Sequence, residues 1–139
     1  MMTKEQHIAH WLSTSEEDEI TMDGLFEIGR YTHSLFFGHL YIEKICKALW
    51  VKNNNGKMPP ATDNLVTLLP KINLGLSEED FSFLDKLNEY YLNEYQLAGT
   101  SPESSLELNR QTTKEYTANC INHIKTISEC LQKNIDNGK

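Results

Sequence analysis

Residues 31–52 decide the fold, and they read YTHSLFFGHLYIEKICKALWVK. Thirteen of the first 21 residues in this stretch are apolar, aromatic or cysteine. The residues at helical spacing are Tyr31, Leu35, Ile42, Ile45 and Leu49. Others widen this stripe around the helix axis, namely Phe36, Phe37, Leu40, Tyr41 and Trp50. A helix with apolar residues over so much of its circumference is expected to have neighbours on more than one side. The stretch therefore predicts a central helix.

Turn and capping residues divide the sequence on either side into further helical segments. The preceding segment runs from about Lys4 to Arg30, with Gly29 as a candidate stop. Ser13-Thr14-Ser15 could interrupt it, because Ser and Thr compete for backbone groups, and Ser15 followed by three acidic residues is typical of an N-cap. After the central helix, Asn53-Asn54-Asn55-Gly56 predicts a turn. Thr62 or Asp63 is then expected to cap a short helix that Pro70 ends or kinks.

Two more helices complete the expected fold. Ser77 precedes Glu78-Glu79-Asp80, a cap signature, and opens a helix with apolar residues on one face. The last helix carries a regular stripe at Ala118, Ile121, Ile124, Ile127 and Leu131. No β-type alternation competes with these patterns. The sequence therefore predicts an all-α fold: one domain over residues 1–139, with a core from about 4 to 135, built as an antiparallel up-and-down four-helix bundle with an additional short helix.

Composition narrows the possible functions. The formal net charge is −7, whereas proteins that bind nucleic acid usually carry an excess of Lys and Arg. DNA is therefore not an expected partner. The three cysteines, Cys46, Cys120 and Cys130, include no C-x-x-C pair and lie in apolar helical patterns, so we expect core thiols. No apolar run is long enough to span a membrane or serve as a signal peptide, and the expected location is the cytoplasm.

Residues 11–50 resemble the HEPN family (higher eukaryote and prokaryote nucleotide-binding). The resemblance rests on Trp11, on the acidic pair Glu17-Asp18 and on the segment from Leu25 to Leu40, and its most specific part is Glu43-Lys44-x-x-Lys47-Ala48. Asp63 stands where relatives usually carry His. The resemblance implies a helical bundle, a homodimer and binding of a nucleotide or RNA. It also implies a possible partner, a minimal nucleotidyltransferase, sometimes in a toxin–antitoxin pair.

The sequence departs from the ribonuclease members of this family. Those members carry Arg followed by His four to six residues later. This chain has two arginines: Arg110 has no His in the ten residues after it, and Arg30 has His33 three residues on. Metal-independent RNA cleavage needs an acid or base and a cation near the reacting phosphate. We therefore predict no catalytic residue.

Several residues remain candidates for ligand binding. Lys44 and Lys47 could contact a phosphate as point charges, or they could be surface lysines paired with acids such as Glu43. Tyr95, with Tyr90 and Tyr91, could stack on bases or could serve core or dimer packing. Arg30 and His33 complete the predicted ligand-binding set.

Metal and cofactor sites are not predicted. His39 and Glu43 are four residues apart on one helix face, but no E-x-x-H motif supplies further ligands. A hydrogen-bonded, partly buried His–Glu pair is the favoured interpretation. His7, His10 and His33 could form another cluster, although a flexible terminus and a solvated face explain them more simply.

Three functions follow as hypotheses. The first is a non-catalytic nucleotide-binding or regulatory module, which the resemblance implies. The second is a divergent metal-independent ribonuclease that uses Arg30, His33 or Tyr95. The third is a structural helical scaffold. We also predict a homodimer, because Phe36, Phe37, Tyr41 and Trp50 point in several directions around the central helix, and monomers seldom expose large apolar patches.

Overall fold

A computed structural model describes residues 2–70, 74–95 and 108–137, except for the side chains of residues 92–95 and 137. The five helices whose bounds are defined are α1 (Lys4–Glu27), α2 (Tyr31–Asn53), α3 (Leu65–Leu68), α4 (Glu78–Tyr95) and α5 (Lys114–Asn137). Residues 108–111 form a further helical turn. The described residues contain no strand, and the prediction of an all-α fold is confirmed.

The long helices alternate in direction around α2. The α1 helix runs antiparallel to α2, because the Ser34 hydroxyl donates to the Met22 carbonyl at 2.8 Å and Lys44, further along α2, meets Asp18, earlier in α1. Contacts of His39 with Asn88 and of Phe36 with Tyr91 make α4 antiparallel to α2 as well. The α5 helix runs parallel to α2. This is the up-and-down bundle that the sequence predicts.

The apolar face of α2 lies at the centre of the core. Leu35, Ile42, Ile45 and Leu49 are all buried. These residues belong to the apolar stripe that the sequence predicts to face neighbouring helices. Gly38 permits close packing: a Cβ atom at this position would lie 2.7 Å from Cδ1 of Ile124 in α5. The other helices contribute buried leucines and isoleucines, among them Leu65, Leu84, Leu87, Ile124, Ile127 and Leu131.

The predicted break in the first helix is wrong. The α1 helix is continuous from Lys4 to Glu27, and its N-cap is Thr3 rather than Ser15. Thr3 and Gln6 form a reciprocal capping box. The Ser15 hydroxyl donates to the Leu12 carbonyl at 2.7 Å, and that of Thr14 donates to carbonyls in the preceding turn. These hydroxyls bond within the helix, so they do not interrupt it.

The other boundaries follow the sequence more closely. Gly29, with φ of +79°, follows α1 in the left-handed conformation that favours glycine. Ser77 caps α4 as predicted: its hydroxyl accepts from the Asp80 amide at 3.1 Å, and the Asp80 carboxylate accepts from the Ser77 amide. The cap of α3 is neither Thr62 nor Asp63 but Asn64, whose side-chain oxygen accepts from the amides of Val66 and Thr67.

The apolar surplus of α2 is largely covered within one chain. Phe36 and Tyr41 are buried, while Phe37 and Trp50 are half-buried. Two large apolar side chains at α1 remain exposed. Ile20, within the helix, is 68% exposed, and Ile28, the residue that directly follows the helix, is 71% exposed. No helix in the described part of the chain is long and apolar enough to cross a membrane.

Candidate functional site

A buried polar network joins α2, α3 and α4 around His39. The His39 side chain is completely buried. Its Nε2 atom lies 2.9 Å from the Asp63 carbonyl oxygen and 3.1 Å from Oδ1 of Asn88. The Oδ1 atom of Asn88 also accepts from the Leu65 amide at 3.1 Å, and its Nδ2 donates to Oδ1 of Asn64. The network therefore ties the start of α3 to the two helices beneath it.

These contacts determine the tautomer of His39. Both partners of Nε2 are acceptors: Asp63 offers a carbonyl, and the orientation of the Asn88 amide is set by the Leu65 amide, which can only donate. Nε2 must therefore carry the proton. In neutral His39 the Nδ1 atom is then unprotonated and carries a lone pair. This atom lies toward Glu43, one turn further along α2, and accepts no hydrogen bond from the described residues.

Glu43 is the residue that Nδ1 faces. Its Oε1 atom lies 3.5 Å from Nδ1, and neither atom has a hydrogen-bond partner among the described residues. Burial raises the pKa of Glu43, against the stabilising effect of the Lys47 ammonium, whose Nζ donates to Oε2 at 2.8 Å. Burial also lowers the pKa of His39 to about 4. The expected hydrogen-bonded, partly buried pair is therefore wrong in both respects, because His39 is fully buried and its contact with Glu43 is not a hydrogen bond.

Lys44 and Lys47 are both engaged by carboxylates. Lys44 Nζ lies 2.6 Å from Oδ2 of the buried Asp18. Lys47 pairs with Glu43, and its Nζ also lies 5.3 Å from the ring centroid of Trp11, a cation–π distance. A phosphate at either lysine would have to compete with these partners.

Arg30 and His33 lie elsewhere, at the N-terminal end of α2. Lys44 is 11 residues beyond His33, about 17 Å along the axis. Both side chains are exposed. Between them, the Thr32 hydroxyl donates to Oδ1 of Asn109 at 2.6 Å. Arg110 follows Asn109 directly, and Arg30 precedes Thr32 by two residues. The hydrogen bond between Thr32 and Asn109 therefore brings the two arginine-bearing segments together.

The same end of the bundle carries further charges. Lys114 begins α5, four residues after Arg110. Two described acidic residues are close in sequence to these cations. Glu27, the last residue of α1, precedes Arg30 by three residues, and Glu115, in the first turn of α5, follows Lys114. The described residues at this end thus include three permanent cations and His33.

A family model described as "HEPN domain" matches residues 8–135, nearly the whole chain. The chain belongs to the HEPN family. Among solved structures, TT1696 from Thermus thermophilus is similar, with a TM-score of 0.69 at 17% identity over 91% of this chain and 96% of that one. At this identity the likeness concerns the fold. No curated protein shows significant sequence similarity.

The remaining HEPN site candidates separate into different parts of the bundle. Tyr95 is the last residue of α4, and its side chain lies outside the described residues. Tyr90 is buried and bonded to Thr112 at 2.9 Å, in keeping with the packing alternative. His7 and His10 flank Trp11 near the other end of α1, so they do not form a cluster with His33. No group of three metal-ligating side chains occurs in the described residues.

Sequence reasoning missed two residues at these sites. Arg110 shares an end of the bundle with Arg30, and the scarcity of arginine was the available signal. Asn88 completes the His39 network, but an Asn within a helix carries no local sign of a partner 49 residues away.

Proposed function

We propose that this HEPN-family chain is a non-catalytic module that binds a nucleotide or RNA phosphate. The proposed site is the end of the bundle defined by Arg30, His33, Arg110 and Lys114, here called the arginine end. The chain would act as a regulatory partner of another protein, with a minimal nucleotidyltransferase encoded beside it as the leading candidate. The proposal extends to a cytoplasmic homodimer.

The supporting observation is the convergence of both arginines on one end of an acidic protein. Arg30 and Arg110 supply two guanidinium groups at this end of the bundle. Guanidinium groups match phosphate geometry with parallel hydrogen bonds. Lys44 and Lys47 are paired with Asp18 and Glu43. Because it offers guanidinium groups rather than ammonium groups, the arginine end is the better-supported place for a phosphate, and Lys44 and Lys47 become a secondary candidate.

The proposal is non-catalytic because of the sequence spacing. No His follows either arginine by four to six residues. Arg30 and His33 nevertheless both lie at the start of α2, and these two groups can supply a cation and an acid or base. Divergent ribonuclease activity at this end is therefore the second candidate, and it makes a separate prediction.

Binding is tested by isothermal titration of the protein with ATP and with a short single-stranded RNA. We expect Arg30→Ala and Arg110→Ala each to weaken binding at least about tenfold, since a charged hydrogen bond contributes about 1.5–3 kcal/mol. Lys133→Ala serves as the matched control, because Lys133 lies near the far end of α5. Loss of affinity in the control variant as well would point to non-specific attraction and contradict the assignment.

The ribonuclease alternative is tested with the same proteins. Labelled RNA is incubated with the wild type in the presence of a chelator. Intact RNA is the expected result. Cleavage that disappears in both Arg30→Ala and His33→Ala would replace the binding proposal with the enzymatic one. A nucleotidyltransferase reading frame adjacent to the gene would support the proposed partner, and co-purification of the two chains would test it directly.

A further inference from the structure

A concave site lies at the opposite end of α2 from the arginine end. It is a cavity of about 330 Å³ between the last turns of α2 and the α3 segment. Trp50 is 20 residues beyond Arg30, which separates the cavity from the arginine end by about 30 Å along the helix. Pockets that hold small molecules begin at about 300 Å³. The cavity is therefore large enough for a ligand and independent of the proposed phosphate site.

The lining is apolar inside and polar at the surface. Leu49 and Leu68 are almost completely buried. Trp50 and Pro70 add a flat indole and a compact pyrrolidine ring to the lining. An indole face is a stacking platform for planar rings. This part of the cavity favours a flat ligand over a flexible or branched one.

Hydrogen-bonding groups come from Asn53, Asn54 and Thr67. The Nδ2 atom of Asn54 donates to the Trp50 carbonyl at 2.9 Å, which leaves its Oδ1 as an acceptor for a ligand N–H. The Asn53 amide offers a donor and an acceptor, and Thr67 adds a hydroxyl. The side chains of Asn53 and Thr67 are both exposed. An asparagine amide can pair with a donor and an acceptor on one edge of a heterocycle.

Charge and volume restrict the ligand further. None of the lining residues that the structure describes is ionisable, so none of them compensates a charged ligand. An apolar cavity of about 150 Å³ accommodates benzene. A volume of about 330 Å³ accordingly leaves room for a second fused ring.

We propose that this cavity binds an uncharged, flat heterocycle of two fused rings whose edge both donates and accepts hydrogen bonds, the chemistry of a purine base. Trp50 stacks on the ring, and the amides of Asn53 and Asn54 bind its edge. The site takes the ring and not a phosphate. A negative result for phosphate binding at the arginine end would therefore leave this proposal unchanged, and the reverse also holds.

The two tryptophans allow a direct test with adenine as the probe. Each indole N–H gives its own signal in a proton–nitrogen correlation spectrum, and Trp11, which lies against Lys47, does not line the cavity. Adenine should shift the Trp50 signal in a saturable manner below about 1 mM, an affinity of about −4 kcal/mol. The Trp11 signal should stay in place. An unmoved Trp50 signal at the solubility limit of adenine would overturn the proposal.

Variants and related ligands test the chemistry. Asn53→Ala should weaken adenine binding several-fold, whereas Asn122→Ala, an exposed asparagine on α5, should leave it unchanged. Circular dichroism establishes that both variants are folded. Indole has the same two-ring size but no acceptor on its edge, so it should bind several-fold more weakly than adenine. Equal binding of indole, or tighter binding of AMP than of adenine, would contradict the assigned ligand class.

Discussion

The Nδ1 atom of His39 and the Oε1 atom of Glu43 lie 3.5 Å apart, one turn along α2, and neither has a hydrogen-bond partner among the described residues. Because Nε2 carries the His39 proton, Nδ1 is a lone pair in the neutral ring. An ionised Glu43 would then set a carboxylate against that lone pair. A single proton on Glu43 removes the repulsion and supplies a donor. This relationship makes the stability of the bundle depend on pH in two opposite ways.

On the acid side, we expect the free energy of unfolding to fall as the pH drops from 6.5 to about 4. Burial lowers the pKa of His39 from 6.5 to about 4, so the unfolded chain takes up a proton in this range before the folded chain does. The difference in pKa corresponds to a loss of about 3 kcal/mol. Urea denaturation at pH 7 and pH 4 measures it.

The control for this prediction is His39→Gln, which removes the imidazole and keeps a side-chain donor. Subtracting the pH profile of the variant from that of the wild type isolates His39 from the surface carboxylates. His123→Gln provides a second comparison, because His123 is only partly buried and lies 2.7 Å from Asp80. If His39→Gln loses as much stability between pH 7 and pH 4 as the wild type, the prediction is wrong.

On the alkaline side, we expect the free energy of unfolding of Glu43→Gln to increase relative to that of the wild type as the pH rises. Burial raises the pKa of Glu43, so its contribution to stability is fully present below the unfolded pKa and is lost as the pH rises through the folded one. The amide of Gln can donate to the unprotonated Nδ1 throughout the range from pH 5 to pH 9. Chemical denaturation between pH 5 and pH 9 tests this trend, and parallel profiles of the two proteins would count against it.

Asn88 should be more important for stability than any exposed asparagine. Asn88→Ala leaves the Leu65 amide without an acceptor and removes one of the two acceptors of His39, and unsatisfied buried groups cost about 1–3 kcal/mol each. We expect a loss of about 2–4 kcal/mol, together with faster hydrogen exchange at the Leu65 amide. Asn122→Ala should change stability by less than about 0.5 kcal/mol. A small effect of Asn88→Ala with slow exchange at Leu65 would mean that the network does not hold α3.

The sequence predicts the parts of this fold that depend on local periodicity. The stripes of α2 and α5 and the Ser77 cap follow from spacing alone. The break predicted at Thr14 and Ser15 is wrong because a hydroxyl can either cap a helix or bond back within it, and the residue type is the same in both cases. The cap of α3 could not be chosen among neighbouring residues of capping type, and the contact of Asn64 with Asn88 is a tertiary one. Such contacts leave no local pattern.

The homodimer remains a prediction, but the structure changes the surface on which to look for it. Ile20 and Ile28 lie about two turns apart along the α1 segment and are 68% and 71% exposed. Gly24 lies between them, and a Cβ atom at this position would have no neighbour within 4 Å outside the helix's own backbone. A second copy crossing here could approach α1 closely and cover both isoleucines. Phe36 and Tyr41, by contrast, are buried within the chain.

Light scattering at micromolar concentration should therefore give a mass near twice the 16.0 kDa of the chain. Ile20→Asp and Ile28→Asp should each reduce it to the monomer mass, because a carboxylate at the centre of an apolar contact is left without a partner. Met58→Asp is the matched control, since Met58 is 71% exposed in the loop after α2, and it should leave the dimer intact. Both isoleucine variants should remain helical by circular dichroism. A monomer mass for the wild type throughout the micromolar range would exclude the dimer, and dimeric isoleucine variants would exclude this surface.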